Sequence, residues 1–190
     1  VHRSMRLIHR LILLRYGIRP DFVLNLGPEP DGTMTLAPVA ADMRRIVNAL
    51  KAEAYDTERG RVDYAHLGLS PTYGEYCRCA RHLRAFDPAA LETREEQLAF
   101  WINLYNALIV DAVIQFEVKH SVNEVPGFFW WAAYNIGGRR YCSFDIEYGI
   151  LRANAAHPAI PGAHFGAGDA RRRYSFAQLD PRIHFALVCA

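Results

Sequence analysis

Between Thr93 and Ile114 the sequence specifies an element with few places it can go in a fold. Thr93 precedes Glu96 by three positions, the spacing of a capping box in which each side chain satisfies the other residue's backbone N–H. The run that follows, Leu98-Ala99-Phe100-Trp101-Ile102-Asn103-Leu104-Tyr105-Asn106-Ala107-Leu108-Ile109-Val110, is apolar on nearly every side of a helix. A helix that is hydrophobic all round belongs in a core. Asn103, Asn106 and Asp111 interrupt it too often for the roughly 18 uninterrupted apolar residues of a bilayer span. A buried amide without a partner costs about 1–3 kcal/mol. Asn103 and Asn106 therefore either pin a neighbouring loop or belong to a site.

A chain of 190 residues can bury one substantial core. Its net charge of +2 gives no reason to expect nucleic acid. Arginine is used almost to the exclusion of lysine, Lys51 and Lys119 being the exceptions, and this reads as genome base composition rather than phosphate recognition. Cys77 and Cys79 are too close to bridge and no signal peptide is visible, so the reading is of reduced thiols in an intracellular, cytoplasmic protein. A chain that opens on Val1 and stops at Cys189-Ala190, inside an apolar run, reads as a fragment.

Residues 1–24 hold five arginines, with Met5, Leu7, Ile8, Leu11, Ile12 and Leu14 on one broad helical stripe. The stripe reads as the core-facing side of the last helix of a preceding module, with a helix lying on an anionic membrane as the other option. Residues 25–37, rich in Gly and Pro, read as a linker, and 38–190 as the main domain. A helix spans Ala40–Ala54, and Ser70-Pro71 starts another that runs to about Phe86. Cys77-x-Cys79 with His82 lacks the second ligand pair of a zinc site, so no metal is expected there. Tyr134-Asn135-Ile136, Gly137-Gly138 and Arg139-Arg140-Tyr141-Cys142 spell a β-hairpin. Ser143 is placed to cap a helix through Arg152. Arg171-Arg172-Arg173 reads as a solvated face, and Ile183 to Cys189 as a core strand. No Gly-rich phosphate loop is present, so no nucleotide or other cofactor is expected. The fold class is α+β: a helical N-terminal half, with the central helix buried against a small, mainly antiparallel sheet.

Four blocks, in order, resemble one family. They are Ala99 to Leu108, Tyr134-Asn135-Ile136-Gly137-Gly138, Asp145-Ile146-Glu147-Tyr148-Gly149-Ile150-Leu151-Arg152, and Asp180-Pro181-Arg182-Ile183-His184-Phe185-Ala186-Leu187-Val188-Cys189. Order and spacing are similar to the DUF547 domain family, over roughly residues 38–190. The resemblance implies a domain found after other modules in some members, and no established activity. Two departures stand out. Tyr148 occupies a position where the family usually has His, and the family's Cys-Pro segment after the His-Phe-Ala-Leu block is not in this sequence.

Two functions remain open on the sequence. In a cysteine-dependent hydrolase or transferase, an imidazole lowers the thiol pKa and a carboxamide or carboxylate orients the ring. His184 is then the base, Asn103 or Asn106 the orienter, and the nucleophile lies beyond residue 190. Cys189 fits poorly, since a strand would turn it away from His184. In a non-catalytic interaction or scaffold module, Glu147, Arg152, Asp180, Arg182 and the two asparagines instead form a polar network that fixes loops. The candidate site residues on either reading are His184, Asn103, Asn106, Glu147 and Arg152.

Overall fold

In the computed structural model, helix α5 (Arg94–Gln115) begins as its capping box dictates. The Thr93 hydroxyl accepts from the Glu96 N–H at 3.2 Å, and the Glu96 carboxylate accepts from the Thr93 N–H at 3.1 Å. The structure describes residues 6–28, 36–56 and 61–187. By length and composition α5 could cross a membrane, but in this fold Trp101, Leu104, Leu108, Ile109 and Ala112 are covered by protein.

Among the described residues it is preceded by α1 (Leu7–Arg15), α2 (Leu36–Ala54), the short strands β1 (Tyr55–Asp56) and β2 (Arg61–Val62), α3 (Tyr64–Gly68) and α4 (Pro71–His82). Helices α2 and α3 pack on α5, and α4 packs on α2. Met43, Ile46, Val47 and Leu50 turn one face of α2 into the core, at the spacing its sequence sets. Helix α4 starts where expected, with Pro71 in its first turn and the Ser70 hydroxyl accepting from Tyr73 N–H.

After α5 come α6 (Phe128–Trp131) and the hairpin β3 (Ala133–Ile136) and β4 (Arg139–Cys142). Gly137 and Gly138 turn it with φ of +55° and +75°, the two positive values a tight two-residue hairpin turn requires. The hairpin lies against α5: Tyr141 meets Trp101 with ring centroids 5.5 Å apart, and the Tyr134 hydroxyl donates to Asp111 at 2.6 Å. The protein is thus α+β, with a helical N-terminal half and the central helix packed on a small antiparallel sheet.

Three local expectations fail. First, Ile183–Ala186 form one helical turn, α7, rather than a strand; Leu187 is extended, and Cys189 lies outside the described residues. The Asp180 carboxylate accepts from Arg182 N–H and Pro181 enters the turn, a helix-start signal that overrides the apolar run. Second, Ser143 does not cap: its hydroxyl donates to the Phe129 carbonyl, and the Asp145 carboxylate accepts from Cys142 N–H instead. Third, α1 buries His9 and Leu13, while Leu7, Leu11 and Leu14 are 73%, 55% and 75% exposed. Arg6 donates to the carbonyls of Pro161, Gly162 and Ala163, and His9 packs on Trp130, so these contacts set the helix's rotation rather than its leucines.

The segment after α1 is tied down by backbone and side chain. Leu24 N–H donates to Ala133 O, and the buried Asn25 donates to the carbonyls of Ala80 and Asn135 while accepting from Asn135 N–H. Leu13, Ile18 and Val23 share a small core with Trp130, Ala133, Cys142 and Ile160. Residues 29–35 of the expected linker lie outside the described residues.

Candidate functional site

Asp145–Leu151 forms a π-helix, wound with i→i+5 hydrogen bonds, that ends at Arg152. Arg152 N–H donates to Glu147 O at 2.8 Å across that spacing. In an α-helix, residues five apart point roughly 140° away from each other. The wider turn brings Glu147 and Arg152 to the same side, and the Arg152 guanidinium donates to the Glu147 carboxylate at 2.9 Å. Turns of this kind recur at functional sites. The Tyr105 hydroxyl of α5 donates to the other Glu147 oxygen at 3.4 Å.

α7 delivers His184 onto this pair. Arg152 Nη1 lies 3.3 Å from His184 Nε2, and Nη2 lies 3.3 Å from Nδ1. The in-plane lone pairs of an imidazole diverge, so a single guanidinium fork cannot bond both nitrogens. The guanidinium therefore bonds at most one of them at a time, and the imidazole is held against it at the surface. Arg152 also lies over the Tyr148 ring, 5.4 Å from its centroid. His184 is exposed, whereas Arg152 and Glu147 are largely covered. The surface therefore presents an imidazole backed by a fixed guanidinium and carboxylate.

Of the two asparagines, Asn106 is buried and its amide donates to Ala186 O at 2.9 Å, fixing the turn that carries His184. Asn103 is half-buried one turn earlier, and its side chain makes no hydrogen bond among the described residues. Four of the five candidates thus converge and Asn103 stands apart. Asp180 and Arg182 form a separate rim pair, at 2.6 Å, with Arg94 joining Asp180 at 3.4 Å.

None of the described thiols is activated. Burial pushes Cys79 and Cys142 up to about 12 and raises Cys77 as well.

A second constellation lies behind Tyr148. His164 donates or accepts through Nε2 at 2.9 Å from Asp145 Oδ1, and Arg171 donates to Asp145 and to Asp169, each at 2.8 Å. All four side chains are buried. The basic run is therefore not one solvated face: Arg172 and Arg173 are exposed, but Arg171 is an internal ion-pair partner. Burial opposes the charge on Asp145, but the Arg171 guanidinium and the His164 and Cys142 hydrogen bonds overcome it and hold the carboxyl well below the usual range. His9 of α1 packs against His164, the rings tilted by 44° with centroids 4.6 Å apart. This cluster has no local spacing in the sequence. The spacing marks Ser143 as a cap, whereas it is the Asp145 carboxylate that accepts a backbone N–H there, from Cys142.

A family profile described as "Protein of unknown function, DUF547" matches residues 88–190. The match takes in α5, the hairpin, the π-helix and both polar constellations except His9. No curated protein and no solved structure matches the chain. Since the profile covers more than half of the sequence, through the elements that build the site, the chain belongs to the DUF547 family.

Proposed function

We propose that this domain is a cysteine/histidine-type hydrolase or transferase in which His184 is the general base, with its thiol supplied by the Cys-Pro segment typical of the family. The observation that carries this reading is the seat of His184 on the Arg152 guanidinium, with each ring nitrogen 3.3 Å from a guanidinium nitrogen. Arg152 is itself held by Glu147, so an exposed imidazole is kept in place against a fixed ion pair. Glu147, Arg152 and Asn106 are positioning residues, because each acts on the imidazole or on the turn that bears it. The raised pKa values of Cys77, Cys79 and Cys142 agree with a nucleophile located elsewhere. The domain extended through the Cys-Pro segment should contain one thiol that alkylates with iodoacetamide at neutral pH faster than free cysteine. In His184→Ala that excess should disappear. If no thiol outpaces free cysteine, the enzymatic reading fails.

The alternative, a non-catalytic interaction module, is supported by Phe185, which stands 95% exposed beside His184. An aromatic ring so placed suits a protein partner as well as a substrate.

A further inference from the structure

The cluster around His164 has a charge count and a hydrogen-bond count that do not close. Asp145 and Asp169 carry two negative charges and Arg171 one positive, all buried. One negative charge is left inside the protein, where a lone ion is costly. Arg6 is close enough to act on His9, but its guanidinium is taken up by the carbonyls of residues 161–163. In addition, His9 Nε2 and His164 Nδ1 are fully buried and have no hydrogen-bond partner among the described residues. A cation held between the imidazoles and Asp145 supplies positive charge where carboxylates are in excess, and gives the buried His9 ring a partner.

We infer that His9, His164 and Asp145 form a binding site for a late first-row divalent metal ion, zinc being the natural probe. One donor atom from each lies within 4.8 Å of the other two, so bonds of about 2 Å to a shared ion would draw the three together by an ångström or so. Imidazole and carboxylate are the ligand types that suit zinc, nickel and copper rather than magnesium or calcium. Arg171 and Cys142 N–H hold Asp145 from behind, at 2.8 and 3.0 Å, fixing the carboxylate as outer partners of metal ligands commonly do. Trp130, Tyr148 and Phe165 wall the site with rings. Neither the loop carrying His164 nor α1 offers a short-spaced ligand motif, so the site exists only in the folded chain. It stands independently of any role for His184.

The test uses the chain without a histidine tag, stripped with chelator and titrated with zinc against a chromophoric competitor. One zinc per chain should bind. His9→Gln should weaken binding by at least about tenfold, while His120→Gln, an exposed histidine elsewhere, should leave it unchanged. Cobalt(II) should give the intense visible bands of a four- or five-coordinate site in the unaltered chain, a readout that does not depend on any variant folding. Absence of those bands, or zinc affinity indifferent to His9→Gln in a folded variant, overturns the assignment.

Discussion

Asp111 shows how one residue can be both necessary and costly. It is 2% exposed and accepts from the hydroxyls of Tyr73 and Tyr134 and from Gln115, while Tyr76 bonds to Tyr134 behind it. Burial raises its carboxyl above the ordinary value, and the three hydrogen bonds only partly offset that. The sign follows directly. A folded-state pKa above the unfolded one means the native state holds the proton more tightly, so stability from this group is full below about pH 4 and is lost as pH rises through the raised value. The urea-unfolding advantage of the native protein over Asp111→Asn should therefore shrink as pH rises from about 4 towards neutrality. An advantage that grows with pH would show the carboxylate to be stabilised by its partners after all. The sequence announced Asp111 only as an interruption in an apolar run, because its partners Tyr73, Tyr76 and Tyr134 come from α4 and β3, far away along the chain. The same distance hid Asp145, His164 and Arg171. Thr93 and Glu96, whose bonds close within three residues, were fully legible.

At the level of elements, the π-helix departs most from what the sequence led one to expect. A one-residue widening of a helical turn leaves no mark in hydrophobic spacing, so Asp145–Leu151 looked like ordinary helix. Gly149 is the position that tolerates least. A Cβ there would stand 2.3 Å from two ring carbons of Phe165, the residue that follows His164. Gly149→Ala should lower stability by about 1–3 kcal/mol through overpacking, read as a lower urea midpoint. It should also loosen the Glu147–Arg152 pair that the wide turn creates. An unchanged midpoint would mean that Phe165 moves aside freely. α7 misled for a different reason: its apolar run suits a strand, but Asp180 and Pro181 had already committed the backbone to a turn.

Taken whole, the molecule binds its N-terminal segment to the family region through few but well-buried contacts. Asn25 makes two of them, to both backbone groups of Asn135, and also donates to Ala80 O of α4. Asn25→Ala should cost about 1–3 kcal/mol from the groups left unpaired. Far-ultraviolet dichroism and tryptophan fluorescence should still report one coincident transition, since Trp130 sits in the core that this segment completes. Two separated transitions would mean that the segment unfolds by itself. The placement of α1 over His164 has a consequence for where the chain can be cut. Asp145 and His164 fall inside the stretch the family profile matches, but His9 does not. The pocket straddles the edge of that stretch, so a polypeptide begun at residue 88 would keep both of those groups and lose the ring packed over them.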